Sequence, residues 1–374
     1  MNELGRGKQT FDTLNGMRGI AALAVAMMHI QWFLDGIHPA IVSLAVDFFF
    51  VLSGFVIAYA YEDDLNAGYQ RRHFMIARFI RLYPLFLLGL ILGAVAKWTY
   101  EYPGDPMTFW GNVGFNLFML PYPLPYPGEY DNTFPLNFPA WSLFYELVAY
   151  ALFALLVRHL TMRWLIVIVV IGLSGLILTG LTEGTLDRGT WRPSVVGGLS
   201  RVVFSFFVGV ALHRLWQRHG STISLHPLVM LILLSLPLMW RPEEGSSAWF
   251  YELAVIAVYM PLMVWLGTGS VARGIWRELC AALGAISYPL YIIHAPIYLF
   301  AGRYDNWQGS VFMDANQPWA ALSLIAALCF VCWLIATYVD LSVRRWLSHK
   351  LLPQKARYPT EVETVKDGDL LSVP

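Results

Sequence analysis

The chain has 374 residues, 57% hydrophobic and 13% charged, and its 25 basic and 25 acidic residues cancel. Soluble domains are nearer half apolar and one quarter charged, so this composition excludes an ordinary soluble domain and indicates a polytopic membrane protein. No basic patch that would suit nucleic acid is present, and three cysteines are too few for a disulfide framework.

A spanning helix needs about 20 mostly apolar residues. The first such stretch is 14–34, "LNGMRGIAALAVAMMHIQWFL". It is longer than a signal-peptide core and no A-x-A site follows, so it is expected to stay in the membrane. The second is 40–61. Next, "QRRHFMIARFIR" at 70–81 is basic and amphipathic, and is expected to lie along the inner surface before the third span, 82–99. The external stretch 100–140 is rich in Pro and Tyr; the prolines of "PYPLPYPGEYDNTFPLNFP" exclude a long helix. It reads either as an interfacial aromatic belt or as a platform on which sugars stack, with Glu129 and Asp131 available to sugar hydroxyls.

Spans then follow at 141–157, 164–182, 199–215, 224–240, 248–267, 279–301 and 319–340. Cys329-x-x-Cys332 falls inside the last and reads as packing, so no metal site is expected. The predicted fold is all-α: a transmembrane bundle of about ten spanning helices over residues 1–345, with a disordered cytoplasmic tail at 346–374.

Orientation follows from the basic residues. With the N-terminus cytoplasmic, nineteen of the 25 Lys and Arg residues fall on the inner side and both termini lie there. The six on the other side or within spans are Lys97, Arg188, Arg192, Arg201, Arg241 and Arg303.

The same topology sorts the intramembrane ionisable groups by depth. Arg18 starts the first span at the inner face, and His29, eleven residues on, is about 16 Å further out. Asp47 in the second span, Glu146 in the fourth and His294 in the ninth fall in the same outer layer. Four such groups are too costly to face lipid, so they are expected to line a shared site. At the inner face Arg78 and Arg81, one turn apart, join Arg18 in a set suited to phosphate. The alternative for these arginines is headgroup snorkelling. A basic site below an acid/base layer fits a long donor with a charged head and a reactive tip, the shape of a coenzyme A thioester.

Five blocks, in order, resemble the integral-membrane acyltransferase 3 family: "LNGMRGIAALAVAMMHI", "VDFFFVLSGFVI", "RFIRLYP", "WSLFYEL" and "ISYPLYIIHAPI". They cover about residues 11–340. The resemblance implies transfer of an acyl group, chiefly acetyl, from cytoplasmic acyl-CoA to a hydroxyl. The acceptors it implies are mostly glycans or lipid-linked sugars, and the location a bacterial inner membrane. It implies roles for His29, Asp47, Arg18, Arg78 and Arg81. In this reading His29 is the general base, Asp47 orients it, and the three arginines hold the donor phosphates. Glu146, Trp141 and His294 are expected to bind the acceptor or brace the site. Bland readings stand beside these: Trp141 as an interfacial anchor, His294 as a satisfied core histidine, Asp47 as the partner of an arginine. Asn15 stands where the family often has Asp, and any second transfer step performed by an appended esterase-like domain is expected to be absent or done by a partner. Lipid is the expected environment, no metal or nucleic acid is expected, and the oligomeric state is open. Two rival classes are a proton-coupled transporter using the intramembrane His, Asp and Glu, and a non-catalytic member of a glycan-assembly complex.

Overall fold

The computed structural model describes residues 10–31, 34, 39–100, 105–126, 131–240, 248–307 and 311–353. Among them the regular structure is helical, apart from one isolated antiparallel bridge between Asn132 and Trp191. The helices are α1 (Asp12–Met28), α2 (Ser43–Asn66), α3 (Arg71–Tyr100), α4 (Pro106–Leu117), α5 (Ala140–Leu156), α6 (Met162–Glu183) and α7 (Val195–His219). After them come α8 (Pro227–Ser235), α9 (Ala248–Ala254), α10 (Met260–Gly269), α11 (Ile275–Trp307), α12 (Val311–Ala315), α13 (Trp319–Leu334) and α14 (Leu341–Leu351). Five-residue and six-residue π turns, Val255–Tyr259 and Ile335–Asp340, join α9 to α10 and α13 to α14.

Each of the ten predicted stretches carries a helix. Eight helices among the described residues are long and apolar enough to cross a membrane. The other two are shorter: α1 has 17 residues, and α8 with its following turn covers Pro227–Leu238. The protein is an all-α polytopic bundle.

Four details correct the sequence-based picture. The basic stretch 70–81 does not form a separate surface helix; it is the first part of α3, which runs unbroken through Pro84. Spanning helices tolerate the amide that proline removes because local adjustments re-satisfy the freed carbonyl. The first span stops at Met28, which leaves His29 as the C-cap rather than a mid-helix residue. The 100–140 stretch holds α4, where Asp105 accepts the Met107 and Thr108 amides and Pro106 occupies the first turn. The last rod continues as α14 to Leu351, past the boundary expected at 345. Glu129 and residues 354–374 of the expected tail lie outside the described residues.

Two helix pairs set the core. In lipid, apolar area alone does not drive helices together, so close backbone approach matters. A Cβ on Gly19 of α1 would sit 2.5 Å from the Leu283 carbonyl of α11. A Cβ on Gly54 of α2 would sit 1.9 Å from the Phe206 carbonyl of α7. Only glycine permits either crossing. The first pair carries His29 and His294; the second carries Asp47 and Arg201. By contrast α6, and the rod made of α13 and α14, leave most of their apolar surface outward, the arrangement of helices that face lipid.

Candidate active site

The sequence-predicted residues separate into three clusters rather than one layer. The first is a pair of histidines. His29 Nδ1 lies 2.8 Å from the Val25 carbonyl and 3.1 Å from His294 Nε2. His294 Nδ1 lies 2.9 Å from the Leu290 carbonyl. A carbonyl only accepts, so both Nδ1 atoms carry the hydrogen in the neutral rings. His294 Nε2 is then an acceptor facing His29 Nδ1–H, and His29 Nε2 keeps a lone pair. The rings stack with centres 5.1 Å apart, and the Phe138 ring lies edge-on to His29 with centres 4.5 Å apart. His294 is fully buried, while His29 is partly open.

The second cluster holds Asp47, and it corrects the expectation that Asp47 orients His29. The Asp47 carboxylate is fully buried against Arg201, at 2.7 Å from Nη2, and accepts from Ser205 Oγ at 3.3 Å. Arg201 also donates to the Ser43 carbonyl at 2.6 Å and the Arg188 carbonyl at 2.8 Å. Trp141 is not a rim or interfacial residue: it is buried, with the Arg201 guanidinium 5.4 Å from its ring centre. This cluster pins the 184–194 loop to the start of α2. Asp187 on that loop is within electrostatic reach of both Asp47 and His29, so the two clusters flank one loop.

The third cluster surrounds a cavity of about 160 Å³. Arg18, Arg78 and Arg81 line it together with Glu146, and its far wall includes Ser142 and Tyr291. Arg18 donates to Ser287 Oγ at 3.1 Å, and Asn15 Oδ1 lies 3.5 Å from its other amino group. Being an amide, Asn15 holds Arg18 without cancelling its charge. Arg78 donates to the Tyr61 hydroxyl and lies 4.6 Å over its ring, while its buried Nε has no partner among the described residues. Arg81 lies 5.4 Å over the Tyr288 ring. Glu146 accepts from Ser53 Oγ at 2.7 Å and from the Tyr150 hydroxyl. Ser53 is six residues beyond Asp47 on α2, so Glu146 sits about 9 Å deeper than Asp47 rather than level with it.

His29 is not among the residues that line the cavity. Tyr291 stands between: it lines the wall, bonds Ser142 Oγ at 2.8 Å, and its ring centre is 6.4 Å from that of His294. Outside the membrane, Asp131 pairs with Arg192 at 3.3 Å rather than standing free for a sugar. Among the described residues no group of three or more His, Cys, Asp or Glu could hold a metal ion.

Sequence reasoning missed Arg201, Tyr291 and Tyr61. Arg201 had a readable signal: an arginine seven residues into an apolar helix requires a carboxylate, and Asp47 enters at the same outer side. Tyr291 falls within the quoted block at 286–297 without its role being marked, and nothing in one sequence marked Tyr61.

A family model described as an acyltransferase domain matches residues 11–337. The chain belongs to the acyltransferase 3 family. This acyltransferase is 36% identical over 178 residues to "Protein 2 in picA locus" of Rhizobium radiobacter, spanning 44% of this chain and 91% of that protein. It is 34% identical over 170 residues to "Acyltransferase MdmB" of Streptomyces mycarofaciens, spanning 40% of this chain and 41% of that one. No solved structure matches it. Membership decides for an integral-membrane acyltransferase over the transporter and the non-catalytic partner.

Proposed function

We propose that the protein is an O-acyltransferase that moves an acyl group, acetyl in the simplest case, from cytoplasmic acyl-CoA to a hydroxyl of a glycan or lipid-linked sugar. The observation that carries this reading is the alignment of an arginine-lined cavity with a histidine pair one ring beyond it. The cavity is smaller than the roughly 300 Å³ and upward that encloses a drug-sized ligand. It suits the slender acyl-bearing arm of the donor, with the phosphates held by Arg18, Arg78 and Arg81.

His29 is the general base in this proposal, acting through Nε2. As the acceptor hydroxyl attacks the thioester carbonyl, its proton passes to Nε2 and the carbon–sulfur bond breaks. The departing thiolate takes that proton from the imidazolium. His294 is the positioning group: its Nε2 and the Val25 carbonyl share the His29 Nδ1–H, fix the ring, and stabilise the cation formed in transit. A neutral partner thus fills the place given to Asp47 by sequence reading. Asp47 serves the site indirectly, through the Arg201 pin on the 184–194 loop. Glu146 braces the arginine cavity rather than the acceptor. The setting is a lipid bilayer, a bacterial inner membrane by the family resemblance.

The test is mass spectrometry of surface and lipid-linked glycans from cells with the gene, without it, and with His29→Ala. An acyl-sized mass loss in both the deletion and the variant is the expected result. Unchanged glycans in the deletion strain would overturn the glycan acceptor, and full activity of His29→Ala would overturn the base.

A further inference from the structure

The arginine cavity is not free of counter-charge at its cytoplasmic end. Asp340, 3% exposed, lies at the end of the π turn Ile335–Asp340. A π turn widens a helix locally and re-aims the residues around it, and such turns cluster at functional positions. Here it sets the Asp340 carboxylate against α3. Asp340 Oδ2 is 3.7 Å from Arg81 Nη1 and 2.6 Å from Arg344 Nη2. Its other oxygen, Oδ1, is buried without a partner among the described residues, and so is Arg344 Nε. Arg344 is within electrostatic reach of Arg81 and Tyr288, both of which line the cavity.

Building on the acyl-CoA reading, we infer that Arg344 is a fourth phosphate-binding arginine of the donor site and that Asp340 is an internal competitor that holds Arg81 and Arg344 until donor phosphate displaces it. The charge balance supports this. Among the described residues, Arg18, Arg78, Arg81 and Arg344 face the carboxylates of Glu146 and Asp340 alone, so the cluster carries excess positive charge that a polyphosphate anion satisfies. A carboxylate already seated between two guanidiniums occupies the fork a phosphate oxygen would take. It also lets the free coenzyme leave, because the arginines have somewhere to go when the phosphates depart. Asp340 is a positioning residue here, since it acts through the arginines.

The opposed signs of the two substitutions test this. Binding is measured on the detergent-purified full chain with coenzyme A, and with pantetheine as the phosphate-free control. Asp340→Asn is expected to tighten coenzyme A by roughly tenfold and leave pantetheine unchanged. Arg344→Gln is expected to weaken coenzyme A by a similar factor. The double variant removes the buried pair together, so it remains informative if Asp340→Asn alone fails to fold, and it is expected to bind coenzyme A more tightly than Arg344→Gln. Coenzyme A binding equal in Asp340→Asn and wild type, or equal in Arg344→Gln and the double variant, would overturn the competitor role. Unchanged binding in Arg344→Gln would overturn the fourth arginine. Wild-type protein that binds no coenzyme A at all would overturn the donor reading beneath both.

Discussion

His29 and His294 are held by backbone carbonyls four residues back on their own chain, so their tautomers are fixed by helix geometry and not by a charged partner. His294→Ala is therefore expected to lower kcat by about 10²-fold, with little change in the donor KM, because it frees the His29 ring rather than the donor site. Steady-state kinetics at varied donor concentration checks this. Asp47 and Arg201 behave differently. Both are at most 1% exposed, and removing either partner strands a buried charge. Asp47→Leu or Arg201→Met alone is expected to destabilise by about 3–5 kcal/mol, whereas the Asp47→Leu/Arg201→Met double variant is much closer to neutral. Thermal denaturation of the four proteins in detergent reads this out. At this scale the sequence pointed to ionisable residues that the structure buries inside the bundle, but it put Glu146 level with Asp47 when Glu146 lies deeper. It did not disclose that histidine would pair with histidine and aspartate with arginine, because depth along a helix says nothing about which way a side chain faces.

Among the elements, the pairing of α1 with α11 does most to create the site. Gly19 allows α1 to approach until His29 and His294 touch. Gly19→Val is expected to push the two helices apart, abolish acyl transfer and lower the melting temperature; an activity assay paired with a thermal scan distinguishes it from Gly19→Ala, whose smaller Cβ clash is expected to lower both less. The spans themselves were legible, since twenty apolar residues leave few alternatives. Their ends were less so. The end of α1 at Met28 and the continuation of α3 through Pro84 depend on capping and packing that hydropathy does not encode. The family blocks located the arginines, yet Tyr291 and Asp340 enter the cavity region from helices whose neighbours no single sequence reveals.

For the whole molecule, the proposed reading puts the donor at the arginine cluster and the acceptor toward the histidine pair, on opposite sides of the membrane. Inside-out membrane vesicles are expected to consume added labelled acyl-CoA, while sealed right-side-out vesicles are expected to do so only after permeabilisation. Equal consumption by both would place the donor site on the wrong face. The bundle's architecture was readable from composition, hydropathy and charge bias together. The division of its ionisable groups into three clusters was not, because it arises from how ten helices rotate about their own axes.

Tyr291 closes the far wall of the cavity, one aromatic ring away from the imidazoles. In the proposed reading, a thioester held in the cavity is separated by that ring from the histidine pair proposed as the base. On that reading the idle enzyme loses little donor to hydrolysis, and a smaller residue at that position, as in Tyr291→Ala, is expected to raise thioester hydrolysis in the absence of acceptor.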